Sequence, residues 1–275
     1  MAIFNLGSVN IDHFYTLPHL PAPGETLSAT GHTLGLGGKG MNQSVAAAKA
    51  GASVFHIGAI GKRDAWVRDK VQSYGGDCKF LRMVEQDTGH AVIYVDAEGE
   101  NTIILESGAN MQQDSEFVVN AIDQAAASDT LLIQNETNLQ AFAATFAIVK
   151  GMRVIYSAAP FSIKAVTDLV PDVSMLVMNS VEATQLCSEM GVTLDKIPAP
   201  QVMVTLGAKG AMWRSNETGE VIEVSSPAVH PVDTTAAGDT YIGYVAAGLD
   251  LGMPIKAAME WAVPTADEVK SFRAA

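Results

Sequence analysis

The chain has 275 residues, 48% of them hydrophobic, a net charge of −13 and two cysteines. That length and apolar share suffice for one large domain with a full core, and the acidic balance argues against nucleic acid because no basic block offsets phosphate repulsion. No apolar run approaches the ~18 residues of a bilayer span, which argues against a membrane partner.

Met1–Val9 lacks the basic start and long apolar centre of a secretion signal. Cys78 and Cys187 lie far apart without metal-ligand spacing, so two reduced thiols in a cytoplasmic protein are the expectation. Ile3–Val9 reads as a first buried strand. In Gly7-Ser8-Val9-Asn10-Ile11-Asp12 at its end, Asn10 and Asp12 stand two apart and face the same way. A carboxamide and a carboxylate held rigidly suit the vicinal hydroxyls of a sugar, although both are also common in strand-end turns. Residues 12–36 break the rhythm, with Pro21, Pro23 and Gly24 between the strand-like flanks Phe14–Leu17 and Thr26–Leu34. Gly37-Gly38-Lys39-Gly40-Met41-Asn42-Gln43 then leads into a helix over Met41–Ala50 made mostly of small residues. Glycines there allow a ligand close to the backbone, but the spacing and the missing Ser or Thr set the run apart from a Walker phosphate loop.

Ser53–Ile57 is the next strand. Residues 88–106 alternate through His90–Asp96, turn at Ala97-Glu98-Gly99-Glu100 and return through Asn101–Leu105, a hairpin by its turn residues. Helices over 114–127, 137–149, 161–168 and 180–190 then alternate with the strands Thr130–Gln134, Arg153–Ser157, Met175–Met178 and Gln201–Thr205. Short, β-branched apolar runs between helices predict a doubly wound α/β domain with a mainly parallel sheet. Glu136 lies just beyond a strand, at the edge where open α/β sheets bind ligands. Asn179 and Glu182 are spaced as a helix N-cap and its first-turn acid. Thr205-Leu206-Gly207-Ala208-Lys209-Gly210 reads as a glycine turn between strands, with Lys209 exposed.

The most informative stretch is Pro231–Gly243. Asp233 and Thr235 are followed by three small residues, Ala236, Ala237 and Gly238, and by Asp239; Tyr241, Ile242, Val245 and Leu249 then keep helical spacing. Small residues at a helix entrance let backbone N–H groups approach an anion, and the helix dipole adds positive potential. A carboxylate there can take the proton of an attacking hydroxyl. The combination suits phosphoryl transfer to an alcohol.

In this order, over about residues 3–262, the motifs resemble the ribokinase-like (PfkB) sugar kinases. Gly7–Asp12 is similar to the strand that presents Asn and Asp to the sugar. Gly37–Gln43 resembles the first signature, in a Lys-containing form closer to ribokinases than to fructokinases or adenosine kinases. Asp233–Asp239 resembles the second signature, D-T-x-G-A-G-D, with Ala236 at its first glycine position. Ser180 departs from the family's Asn-Glu-x-Glu run and leaves Asn179 and Glu182 in place.

The resemblance implies a three-layer α/β/α sandwich over residues 1–275, with a central, mainly parallel sheet and a small β-sheet lid from residues 12–36 and 88–106. Such a lid closes over substrate, excludes water and joins two copies into a homodimer. The implied reaction is in-line transfer of the ATP γ-phosphoryl group to a primary sugar hydroxyl, O5 of D-ribose first. Another sugar or a nucleoside is the alternative substrate, and a catalytically silent sugar- or nucleotide-binding protein the alternative function. Asp239 is then the base, and the amides of Ala236, Ala237, Gly238 and Asp239 form the anion hole. The implied sugar contacts are Asn10, Ile11, Asp12 and Glu136, joined by Gly38, Lys39, Gly40, Met41 and Asn42, with Asp239 at the reactive hydroxyl. Asn179 is placed beside the nucleotide phosphates, and Thr205, Leu206, Gly207, Ala208, Lys209 and Gly210 border ATP, with Gly238 and Asp239 at its reacting end. Glu182 would hold Mg²⁺ through water, and Asp233 and Thr235 would contribute a carboxylate and a backbone carbonyl to a K⁺ site.

The resemblance also implies an Ala-rich helix and a loop after Lys256–Ala262, which complete the adenine pocket and the K⁺ site. In this sequence Ala262 runs straight into the tail Val263–Val269. The expectation is that the intervening residues belong to the protein as a disordered loop and are missing only from the sequence as written.

Overall fold

Apolar runs too short for helices become strands, and the computed structural model, which describes residues 1–226 and 236–267, arranges them in two sheets. In chain order the first strands are β1 (Ala2–Leu6), β2 (Asn10–Thr16), β3 (Gly31–Gly37), β4 (Ser53–Gly61) and β5 (Leu81–Val84). A hairpin follows, β6 (Gly89–Val95) and β7 (Asn101–Glu106), then β8 (Thr130–Ile133), β9 (Arg153–Ser157), β10 (Met175–Asn179) and β11 (Gln201–Thr205). An antiparallel pair closes the series, β12 (Ala211–Ser215) and β13 (Val221–Val224). The helices are α1 (Lys39–Lys49), α2 (Trp66–Ser73), α3 (Ser115–Ile122), α4 (Gln140–Val149), α5 (Ile163–Leu169), α6 (Ser180–Met190), α7 (Ala237–Asp250) and α8 (Ile255–Asp267).

The large sheet has nine strands in the order β13-β12-β11-β10-β9-β8-β1-β4-β5, parallel from β11 to β5. Side chains alternate across it: Phe4 and Leu6 of β1 enter one core with α3 to α6, while Ile3 enters another with α1, α7 and α8. That makes three layers, as the α/β alternation predicts. The second sheet has four strands, β3-β2-β6-β7, and draws on both pieces that break the rhythm. Its hairpin turn is set by Asp96, whose carboxylate accepts from the Glu98 and Glu100 N–H groups, and by Gly99 at φ +86°.

Several boundaries move, each for a local reason. The first strand stops at Leu6 rather than Val9, because the chain crosses α1 there: a Cβ on Gly40 would lie 2.4 Å from the Gly7 Cα. Asn10 and Asp12 therefore open β2 instead of closing β1. The helix expected over 137–149 begins at Gln140, after Leu139 in a left-handed conformation, and that over 161–168 begins at Ile163, after the Ser162 cap. Residues 114–127 are helical only to Ile122. No disordered loop parts Ala262 from Val263. They are consecutive residues of a 28.9 kDa chain, inside α8, and both sit in the core beside Ala258 and Met259 at helical spacing. The expectation of an unseen segment is overturned.

Helices α1 and α7 carry the signatures, and they meet at Gly243, where a Cβ would stand 2.6 Å from both Ala46 Cβ and the Gln43 carbonyl oxygen. Gly243→Val is expected to cost about 1–3 kcal/mol by overpacking. Urea unfolding checks this, and an unchanged midpoint would mean that the helices part freely.

Candidate active site

The carboxyl ends of the parallel strands all open on one edge, and there a cleft of about 160 Å³ brings Lys39, Asn179, Glu182, Thr205, Gly238 and Asp239 together. Lys39 comes from the start of α1, Asn179 and Glu182 from the β10–α6 junction, Thr205 from the end of β11, and Gly238 and Asp239 from the first turn of α7.

The glycine turn before α1 is held from outside, since no side chain within it caps the helix. Gly38 has φ +92°, and a Cβ there would crowd the Ser8 carbonyl oxygen at 3.0 Å. Met41 N–H donates to that carbonyl (2.9 Å) and Gly40 N–H to Ser8 Oγ (3.2 Å). The Ser8 hydroxyl and the Lys39 N–H (2.9 Å) both donate to Oε2 of Glu136. Glu136 thus caps α1 across the strand edge. The side chains of Ile11 and Met41 are buried with Val9 and Val45, so only their backbones are available to a ligand.

Asn10 and Asp12 share one face of β2, opposite Ile11. The Asn10 side-chain carbonyl accepts from Asn110 Nδ2 (2.8 Å), while Asn110 Oδ1 accepts from the Val9 N–H (2.8 Å). This turns the Asn10 amide so that its donors face away from Asn110. The Asp12 carboxylate lies over Gly37, where a Cβ would meet it at 2.1 Å.

Asp239 occupies the first turn of α7 and is buried. Its Oδ1 accepts from Gln43 Nε2 (2.9 Å), and its Oδ2 has a longer contact with Asn42 Nδ2 (3.3 Å). Burial pushes its carboxyl above the usual aspartate range, with a small addition from Glu136; Lys39, Gln43 and Asn42 oppose that shift. For Lys39 burial disfavours the charge, but the carboxylates of Asp239, Glu136 and Glu182 outweigh it and raise its pKa. Ala236, the N-cap, has φ +62°, a left-handed conformation that turns the following amides toward the cleft. Among the described residues, a Cβ at Gly238 would meet nothing within 4 Å.

Asn179 and Glu182 form a complete capping box: Asn179 Oδ1 accepts from the Val181 and Glu182 N–H groups, and the Asn179 N–H donates to Glu182 Oε2. Burial raises the Glu182 pKa, against the Asn179 N–H and Lys39. One carboxylate with an oxygen left for the cleft fits a Mg²⁺ ion held through waters and phosphates rather than by a protein cage. No group of three or more His, Cys, Asp or Glu among the described residues is placed to chelate a metal.

Of the turn after β11, Thr205 lines the cleft. Leu206 packs against the core, Gly207, Ala208 and Lys209 are exposed, and Gly210 (φ +101°) runs too close to Val224 for any side chain. Asp233 and Thr235 lie outside the described residues. Sequence reasoning passed over Ser8, Gln43, Gln134 and Asn110. The available signal was Gln43-Ser44, two uncharged polar residues beside Asn42 in a helix whose other interior residues are small or apolar.

The sequence pattern of the pfkB family carbohydrate kinases matches residues 2–270. The ribokinase of Haemophilus influenzae is 36% identical over 253 residues, covering 86% of this chain and 82% of that protein. The structure of Thermotoga maritima ribokinase matches with a TM-score of 0.87 at 27% identity, over 100% of this chain and 94% of that one. That of Arabidopsis thaliana ribokinase complexed with ribose and ATP matches at 0.81 and 27%, over 97% and 92%.

The raised Asp239 pKa has a consequence for stability. Between the unfolded value of about 3.9 and the raised folded one, the folded protein keeps a proton that the unfolded chain releases. The group thus favours the fold at low pH, and that contribution is lost as pH rises through the folded pKa. Asp239→Asn removes the neutral-pH cost: its unfolding temperature is expected to exceed the parent's at about pH 7, the excess shrinking toward about pH 4. Thermal unfolding across that range decides the sign, and a variant less stable at neutral pH contradicts it.

Proposed function

Because the chain belongs to the pfkB family of carbohydrate kinases, we propose that it transfers the γ-phosphoryl group of ATP to the O5 hydroxyl of D-ribose. The observation that carries this reading is a buried carboxylate, Asp239, in the first turn of α7, beside open helix N-terminal amides and facing Lys39. Asn10, Asp12 and Glu136 orient the sugar, with Lys39 and Asn42 beside it. Asp239 Oδ2, the oxygen with the longer protein contact, accepts the hydroxyl proton as the O–P bond forms. The amides of Ala237, Gly238 and Asp239 take up charge on the transferring group, while Asn179 and Thr205 border the rest of the nucleotide.

Three carboxylates stand around one lysine, so the cleft is anionic before a polyphosphate enters. A divalent cation resolves that repulsion, and Glu182 is the residue for Mg²⁺. When bound, the ion neutralises phosphate charge and orients the leaving group. For K⁺ the support is the resemblance of Asp233 and Thr235 alone.

The small sheet is the lid. Ile103 and Leu105 of β7 are exposed on the face that β7 shares with Asp12, ready to cover the sugar. Ile104 and Leu34 are exposed on the other face, in line with Val92 and His13, and offer an apolar surface to a second copy as a homodimer. A cytoplasmic setting accords with the free thiols of Cys78 and Cys187.

ATP consumption measured against ribose, 2-deoxyribose, hexoses and nucleosides is expected to be fastest with ribose. In that assay Asp239→Asn should lose about 10²–10⁴-fold in kcat. Near-parental kcat in the variant would remove Asp239 from the role of base. Ligand-induced stabilisation without turnover of any sugar would favour a binding protein instead. Asp12→Ala should raise KM for the sugar far more than KM for ATP, because a hydroxyl partner is lost only on the sugar side; equal effects would assign Asp12 a structural role.

A further inference from the structure

A chain of buried polar side chains runs from Asp239 into the core. Asn5, Gln43 and His56 are 0% exposed, Gln134 1% and Ser44 2%. The large majority of such groups in a core are hydrogen-bonded, because an unpaired one is costly to bury. Here the bonds also have a direction.

The direction starts at a main-chain carbonyl, which can only accept. Gly40 O accepts from Asn5 at 2.7 Å, so the Asn5 atom facing it is Nδ2, which also donates to Ser44 Oγ at 2.8 Å. The Asn5 oxygen is then left facing Gln134 and must accept from its Nε2 at 3.0 Å. The same Nε2 donates to Gln43 Oε1 at 2.7 Å. With its oxygen engaged, Gln43 has only its Nε2 to present to Asp239 Oδ1, at 2.9 Å. Turning any one amide over would set oxygen against oxygen at the next contact. The cost accepted for this order is visible at Gln134, whose Oε1 has no partner among the described residues. At the far end Ser44, already an acceptor, meets His56 Nδ1 at 2.9 Å, and burial lowers the His56 pKa to about 4, so the imidazole is neutral. The relay adds no second charge beside the carboxylate.

We propose that Gln43 is a positioning residue for Asp239, its amide held donor-first by the Gly40–Asn5–Gln134 relay, so that Oδ1 is occupied and Oδ2 is aimed at the substrate hydroxyl. The inference rests on the reading of Asp239 as base. It also links the glycine turn to the base, because the turn that lies beside the sugar fixes, through its own carbonyl, which way the amide at Asp239 points.

The test measures kcat and both KM values for Gln43→Leu, Gln134→Glu and the double variant, with Asp239→Asn as control. Loss of a hydrogen bond to a charged group predicts a fall of about 10- to 100-fold in kcat for Gln43→Leu, with the sugar and ATP KM values near those of the parent. Gln134→Glu puts acceptors where donors are required and should lower kcat similarly. The double variant should be little worse than Gln43→Leu, because both act through one bond. If Gln43→Leu does not fold, the near-isosteric Gln43→Met, which likewise has no donor, replaces it and carries the same expectation. Parental kcat in the Gln43 variant, or additive losses spread over both KM values, overturns the relay. Asp239→Asn separates the two claims: with that control inactive and Gln43→Leu unimpaired, only the relay falls, whereas an active control removes the base itself.

Discussion

A carboxylate shielded from water, Asp239, sets the terms for the rest of this structure. Burial disfavours the charged form of Asp239, and on the proposed reading that form is the one that accepts a proton from an alcohol. The answer is local and directional. Lys39 supplies the opposing charge, and Gln43 and Asn42 supply donors, all from the first turns of one helix. Those turns reach Asp239 only because α1 and α7 touch at Gly243, and because α1 crosses β1 at Gly7 and Gly40 without a side chain between them. The glycines therefore serve the electrostatics: with any Cβ at these crossings, the helices would separate and the compensating donors would withdraw.

How much of this could be read from the sequence depends on the distance over which each cause acts. Strand and helix alternation is a local property, and every strand expected for the large sheet is present. The hairpin turn at Asp96–Glu100 was legible because its hydrogen bonds close within five residues. Boundaries at Leu6 and Gln140 were not, since a crossing helix and a left-handed Leu139 decide them. The signatures marked Asp239, Lys39 and Asn42. Their supporting shell stayed hidden, because Gln134 meets Asn5 across 129 positions and Asn110 meets Asn10 across 100. Nothing in local spacing announces such pairs; only the presence of an uncharged polar residue in an apolar stretch does.

The small sheet obeys a different logic from the large one. A strand covered on both faces needs apolar residues throughout, whereas β7 is exposed along its whole length and still carries Ile103, Ile104 and Leu105 in succession. An isolated edge of that kind is an aggregation hazard. On the reading proposed above, both faces are covered at some point in the working cycle, one by substrate and one by a second copy. Alternation across the strand then separates those two roles, since neighbouring residues point to opposite sides. Asn110, in the short 3₁₀ turn Gly108–Met111 after β7, holds Asn10 at the start of β2, so the end of the outer strand is tied to the start of β2 by one carboxamide.

The last helix shows how a motif comparison and a folded chain can disagree without either being misread. The resemblance implies a further helix and loop after Ala262. In the structure α8 continues through that point, and Ala258, Met259, Ala262 and Val263 keep their apolar stripe against α7 and the sheet. A helix with a continuous buried face has no reason to stop there, and Gly248 lets it lie close, since a Cβ at that position would meet Ala258 Cβ at 2.8 Å. What the shorter connection preserves is the support of the cleft: α8 braces α7, whose first turn holds Asp239, so the proposed chemistry at Asp239 rests on a helix pair packed through Gly248 and Ala258.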